Sequence, residues 1–544
     1  MRSHGIPVAV VAGGAALLLL AGCTARDTEA APSPSVDSDA LVASLPAATT
    51  AVDDVTWALV EGEPRSLDPS ADYSFIIPNL CDNLLQLQPD FTVEPGLATG
   101  AEWADPVTFV IDLRDDVTFW DGTPMTADDV VYSLDRNRAQ TSAWFPSFVL
   151  VEAIEKTGDH QVTVRFTAPD STFRDALSGA AGAVMSKAFG EAAGADLGTS
   201  SGGILCTGPF ELADWTPGTQ IVTSANSDYW GGAPLVDTLT YVFVSDGTTL
   251  ATALLEGEID GAYNVPPASR SSFETSDEGR LILGPSTASY SFGPTRSTGA
   301  GANPQIRQAL SLAIDREQYI QTVLNGLGQT QKTFTPPFAW SGMEAAAQYT
   351  AAYGDLAAPE YDVEKAKGLV AESGEDTSVP LVVAIPAGAK ELAQTAAIIQ
   401  SAAEQIGLKV EIDERQPADF TEIFFDPAAR ESIDFVATTG YIDAPGVLGY
   451  AQQFLLPADL GGFFNWSGYS NDEVTADLQT ARTTLDAAAS ADAFISAQQI
   501  FAPDLLQVTL AAAYHTTFLS DELTGVTTSV AAYSSPWALH LGGE

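Results

Sequence analysis

The chain has 544 residues, 45% of them hydrophobic, enough to bury a large core divided between two or three lobes. Its 71 acidic residues against 23 basic ones leave a net charge of −48, which repels phosphate and anionic lipid and excludes nucleic-acid binding as a main function. The acidic residues are scattered and form no single block, the pattern of a solvated, soluble exterior.

Arg2 and His4 give a weakly basic start, residues 8–20 are an uncharged apolar run, and small residues then lead into Cys23. This is the pattern of a secretory signal. A hydrocarbon core needs about 20 helical residues to cross, so the run predicts no permanent span. Leu20-Ala21-Gly22-Cys23 resembles the lipobox of bacterial lipoproteins. That resemblance implies removal of residues 1–22 and lipidation of Cys23 as a membrane anchor. Cys81 and Cys206 are then the only thiols left, and oxidising surroundings favour a bridge between them over two separate buried thiols. Residues 23–53, rich in Ala, Ser, Thr, Pro and Asp, read as a lipid-anchored flexible linker.

The folded body opens with a strand over 55–60 and a turn-rich passage over 61–71. A helix follows with Ile76, Ile77, Leu80, Leu84 and Leu85 on one side. Residues 107–113 alternate as a strand, and 117–120 resume it before the turn at Asp121-Gly122. Thr126 and Asp129 are spaced as a capping box for a helix with Val130, Val131 and Leu134 as its apolar stripe. Residues 210–215 and 220–224 form a hairpin across Thr216-Pro217-Gly218. The series 239–244, 248–255 and 259–263 reads as strand, helix, strand, which predicts parallel pairing through a crossover. Asn303 caps a long helix with Pro304 at its first position, burying Ile306, Ala309, Leu310, Ala313 and Ile314. Strands at 381–385, 408–412 and 434–438 alternate with helices over 388–406 and near Phe420, a second α/β unit. Helices across 472–501 and a β-rich tail from Leu506 complete the chain.

The stretch TFWDGTPMTADDVVYSLDR at 118–136 resembles a segment of the family 5 extracellular solute-binding proteins, which serve oligopeptide and dipeptide import. The resemblance continues in order through SLDP at 66–69, CTGPFELADWTPG at 206–218 and NSDYWGGAPLVDTLTYVFVSD from Asn226. It extends through LLEGEIDGAY from Leu254, NPQIRQALSLAIDREQYI from Asn303 and YDVEKAKGLVAESG from Tyr361. It implies an α/β, two-lobed periplasmic-binding-protein-like fold of type II, of the large cluster with an extra inserted subdomain. Mapped here, lobe I covers 54–288 with the insert at about 85–200, lobe II covers 289–510, and 511–544 return to lobe I. The implied protein is a lipid-anchored monomer outside the cytoplasm. It passes a peptide or other small solute to ABC permease subunits with their ATPase, and it needs no cofactor or metal.

The same resemblance places the ligand near Tyr73, Ser74 and Phe75 and near the loop carrying Thr438, Tyr441 and Asp443, with Trp340 and Trp466 serving as either cleft wall or core. Tyr441 stands where peptide-binding relatives often carry the aspartate that pairs with a ligand ammonium group, and Asp443 is two residues before Pro445. An unpaired buried ammonium is costly, so the solute is open between peptide, sugar, opine and metal chelate. Gly198-Thr199-Ser200-Ser201-Gly202 formally matches a nucleophile elbow. It follows a helix-like segment instead of a strand, so it reads as a loop, and no catalytic residue is assigned. A secreted α/β hydrolase and a surface sensor or adhesin with the binding-protein fold are the rival readings.

Overall fold

The computed structural model describes residues 36–440 and 446–544; the expected leader, Cys23, Tyr441 and Asp443 lie outside the described residues. The first lobe is built on a seven-stranded sheet. Its order is Gly279–Gly284, His515–Ser520, Gly261–Tyr263, Val52–Leu59, Val236–Phe243, Gln220–Ala225 and Phe210–Thr216. Val52–Leu59 alternates its faces: Val55, Trp57 and Leu59 enter one core, while Ala58 enters another with Leu250 and Leu254 of helix Gly247–Leu255. A strand covered on both sides suits parallel neighbours, and it has two, Val236–Phe243 and Gly261–Tyr263. The strand–helix–strand unit read from 239–263 therefore crosses over this central strand.

The second lobe carries a six-stranded sheet in the order Gly328–Thr330, Val508–Ala513, Ser289–Pro294, Phe435–Gly440, Leu381–Pro386 and Val410–Arg415. Helix Lys390–Gln405 buries Leu392, Ala396, Ile399 and Ala403 at helical spacing in the core that holds the strand residues Val383 and Phe435. A separate helical core holds Trp340, Tyr349, Phe494 and Phe501. The chain passes between the two large sheets at 285–288 and again at Tyr514. Strand Val508–Ala513 thus stays in the second sheet past the expected limit at residue 510. The insert contributes a four-stranded antiparallel sheet, Ala98–Asp105, Thr108–Leu113, Gln161–Phe166 and Val151–Gly158. Beside it lies helix Ala127–Asn137, whose Asp129 carboxylate accepts from the Thr126 N–H at 2.9 Å.

Several local expectations are corrected. The helix expected to include Leu84 and Leu85 covers only Ile77–Leu80, and Leu85–Leu87 is a strand paired with Val93–Pro95. The cause is competition for backbone groups. The Leu80 carbonyl accepts from Gly208 N–H at 2.8 Å, and Leu84 N–H donates to Gly182 at 2.8 Å, so the next helical turn has lost its bond. The segment 117–120 forms only an isolated bridge, Thr118 to Pro124. The helix after Asn303 ends at Leu312, and a second begins at Arg316. The described part of the expected flexible linker, residues 36–53, lies against the body. Val42 N–H donates to Leu283 at 2.8 Å, Leu45 to Val526 at 2.9 Å and Ala48 to His540 at 3.0 Å. Backbone bonds hold this strap, and composition carries no signal for them.

Cys81 and Cys206 are joined by a disulfide, with Cα atoms 4.9 Å apart. Beside it the buried Asp82 carboxylate accepts from Thr207 Oγ1 at 2.8 Å, Tyr229 OH at 2.7 Å and Trp230 Nε1 at 3.0 Å. The Tyr229-Trp230 pair of the NSDYWGG segment thus satisfies a charge that would otherwise be stranded.

His515 is buried, its Nδ1 donating to the Thr528 carbonyl at 2.9 Å and its ring packed on Tyr263. Burial pushes its pKa down from 6.5 to about 4. The unfolded chain protonates near the ordinary value, so the stability from keeping this ring neutral is complete above pH 6.5. It is lost as pH falls toward 4, a change of about 3 kcal/mol. Urea unfolding of the wild type should therefore weaken by about that amount relative to His515→Gln between pH 7 and pH 4. A difference that is constant with pH contradicts this role.

Candidate ligand-binding cleft

The two lobes enclose a cavity of about 1620 Å³ lined from both sides. On the first lobe, residues 66–73 are fixed from three directions. Leu67 N–H donates to the Gly198 carbonyl at 2.8 Å, Arg136 Nη1 reaches Asp68 Oδ1 at 2.9 Å, and Trp144 Nε1 donates to the Pro69 carbonyl at 2.6 Å. Gly198 has φ +75°, and a Cβ there would lie 2.5 Å from the Asp68 nitrogen. Glycine is required by this contact, which accounts for the start of the Gly198–Gly202 pentad by packing. Ser200 sits exposed in a turn behind helix Lys187–Ala193, with no strand running into it.

This scaffold leaves Tyr73 at the cleft, 39% exposed, edge-on to Trp144 at 6.4 Å. Ser74 makes a local turn contact, its hydroxyl accepting from Ile76 N–H at 3.4 Å. Phe75 is core and not wall, buried and stacked on Tyr533 at 3.8 Å. Trp340 is also core: it is buried, donates from Nε1 to Thr350 Oγ1 at 2.9 Å and packs on Tyr353. Trp466 is half-buried behind the wall, between Phe424, Phe464 and the Arg430 guanidinium. Thr438, near the end of strand Phe435–Gly440, lines the cavity.

The main walls lie outside the residues that the sequence marks as ligand contacts. Trp144 and Phe145 come from the insert, and Phe424, Phe425 and Phe463 come from the second lobe. Phe145 and Phe463 meet edge-on across the gap at 6.1 Å. Their only sequence signal is adjacent aromatics beside Pro or Gly, at 144–146, 424–427 and 461–464.

The insert and the second lobe also touch directly. Arg482 of helix Asp472–Thr483 donates to Asp170 Oδ2 from Nη2 at 2.7 Å and from Nε at 3.2 Å, with Asp170 fully buried. Ser171 N–H donates to the Arg482 carbonyl at 2.8 Å. Gly342 approaches the Phe91 carbonyl so closely that a Cβ would stand 1.8 Å from its oxygen. Within the wall Arg174 pairs with Asp175 at 3.0 Å, and burial pushes the Asp175 carboxyl above its ordinary pKa. Among the described residues no cluster of three or more His, Cys, Asp or Glu residues is placed to hold a metal. No described helix is long and apolar enough to cross a membrane.

The sequence pattern of the bacterial extracellular solute-binding proteins, family 5 (middle), matches residues 92–462. The oligopeptide-binding protein AppA of Bacillus subtilis is 27% identical over 330 residues, covering 58% of this chain and 59% of AppA. Protein XP55 of Streptomyces lividans is 27% identical over 491 residues, covering 87% of this chain and 86% of its own. In structure, the ABC transporter-associated periplasmic binding protein DppA of Helicobacter pylori, in complex with the peptide STSA, superposes with a TM-score of 0.78. It does so at 19% identity, over 91% of this chain and 99% of that one.

Proposed function

Because the chain belongs to family 5 of the bacterial extracellular solute-binding proteins, we propose that it captures a peptide or another small solute between its lobes and delivers it to an ABC importer. The observation that carries this reading is the cavity of about 1620 Å³ walled from both lobes, in which closure removes water from both faces of a guest. Transport energy comes from a partner ATPase, and this chain makes and breaks no covalent bond. Tyr73 and Thr438 touch the solute, together with the loop carrying Tyr441 and Asp443. Cys23 carries acyl chains whose methylenes, at about 0.8 kcal/mol each, hold the monomer on the outer face of the membrane. The working division is a signal over 1–22, an anchor segment from Cys23, and two lobes exchanging chain near 285–288 and Tyr514.

Mass spectrometry of the gently purified protein should find a small solute retained at close to one per chain. After stripping, adding that solute back should change tryptophan fluorescence and saturate near micromolar concentration, about −8 kcal/mol. Turnover of ester, peptide or glycoside probes that disappears in Ser200→Ala would instead establish the hydrolase. A retained solute without neighbouring permease and ATPase genes would favour the sensor.

A further inference from the structure

The basic and acidic groups of the cleft are not equally committed. Among the described residues lining the cavity, the Asp, Glu, Lys and Arg side chains are Arg174, Arg482, Asp175 and Glu344. Arg482 Nη2 lies 2.7 Å from Asp170 Oδ2, and Asp170 is fully buried. Arg174 Nη1 lies 3.0 Å from Asp175 Oδ1, and Asp175 is half-buried. A guest carboxylate that drew either guanidinium away would leave a protein carboxylate without its counter-charge, which disfavours an anionic guest. Glu344 stands differently: it is exposed, and among the described residues no hydrogen bond or ion pair engages its carboxylate. Residues 441–445 contain Asp443 and no Lys, Arg or His, so that segment brings no basic group to the balance.

Glu344 is also held in place. Gly342 stands so close to the Phe91 carbonyl that a Cβ would lie 1.8 Å from its oxygen, and Met343 N–H donates to the carbonyl of buried Trp340 at 3.0 Å. Helix Ala346–Asp355 then begins directly after Ala345. The carboxylate thus borders the cavity at the seam between the insert and the second lobe. Around the same cavity stand Tyr73, Trp144, Phe145, Phe425 and Phe463. Aromatic faces attract a cation and also cover the methylene stem that carries it. The net charge of −48 adds a field that concentrates cations over anions. The volume of about 1620 Å³ exceeds the roughly 300–1,000 Å³ of ordinary small-molecule pockets, which suits a peptide of several residues. We infer that the cleft selects peptides carrying a cationic side chain over their acidic counterparts, with Glu344 receiving the ammonium or guanidinium group. This deepens the solute-binding reading and depends on it.

The test offers the stripped full-length chain a random pentapeptide library with free termini and identifies the retained peptides by mass spectrometry. Lys and Arg should be enriched over Asp and Glu at least about fivefold. Raising NaCl from about 50 to about 500 mM should lower that ratio by about half, because screening weakens the attraction. Glu344→Gln should lower it at least about threefold, while Glu344→Asp keeps most of it. Glu404→Gln removes an equal charge from an exposed site outside the cavity and should leave the ratio unchanged. Equal recovery of basic and acidic peptides, enrichment of acidic residues, or a ratio unmoved by salt or by Glu344→Gln would each overturn the inference. A lower melting temperature for Glu344→Gln with intact enrichment would assign the carboxylate to the N-terminus of helix Ala346–Asp355 and overturn it as well. If no peptide is retained while a solute from culture medium still contracts the protein in solution, the inference falls and the solute-binding reading stands. If that contraction is absent too, both fall.

Discussion

Replacing Asp170 by asparagine is expected to weaken solute binding about 30- to 150-fold while leaving each lobe folded, a loss of about 2–3 kcal/mol. Asparagine keeps a carbonyl oxygen for the turn in which Asp170 Oδ1 accepts from Thr172 N–H at 3.1 Å and Thr172 Oγ1 at 2.7 Å. At the other oxygen it turns an amide NH₂ toward the Arg482 guanidinium, so a buried cation loses its counter-charge. That cost falls on the closed form, since Arg482 borders the cleft and regains water when the lobes part. Arg482 also retains Gln452 Oε1 at 3.2 Å, which keeps the loss below the full penalty of about 3–5 kcal/mol for a broken buried pair. A double-mutant cycle with Arg482→Gln, read by calorimetric titration of the retained solute, should recover part of the loss. Asp434→Asn is the control. It breaks an ion pair with Arg296 inside the second lobe, away from the cleft, and should lower the melting temperature without changing affinity. Equal affinity for Asp170→Asn and wild type would show that this contact takes no part in closure.

Removing the disulfide should rank with the costliest changes to stability. Cys81 and Cys206 stand 125 positions apart in the chain and enclose the whole four-stranded insert, and in the chain-entropy account a loop of that length contributes about 5 kcal/mol. The double substitution Cys81→Ser, Cys206→Ser should therefore lower unfolding free energy by about 3–5 kcal/mol in urea titrations. The insert should loosen first, since Asp82 and its three donors adjoin the bridge. Both sulfurs belong to buried residues, so reducing agent should act on the native wild type only as fast as it opens. A serine variant within about 1 kcal/mol of wild type would mean that the buried carboxylate network alone closes the loop.

Elements whose local chemistry agrees with their surroundings were legible in sequence. The Thr126–Asp129 capping box, the hairpin at Phe210–Ala225 and the alternation around Lys390–Gln405 each carry a local signal that packing then reinforces. The failures fall where a distant segment decides. Helix Ile77–Leu80 is cut short by backbone from residues 182 and 208, and the 36–53 strap is held by backbone groups far along the chain, at Leu283, Val526 and His540. Aromatic identity does not say which way a ring faces. Phe75 and Trp340 are core, while Trp144, Phe145 and Phe463 form the walls, and only the tertiary fold separates the two groups.

The central claim is that two lobes close over a solute and exclude water from it. Small-angle scattering of the stripped protein, before and after the retained solute is added, tests it most directly. The account predicts that the radius of gyration decreases on binding and that Asp170→Asn requires more solute to reach the same contraction. A bound solute, established by mass spectrometry, that leaves the radius of gyration unchanged would contradict it.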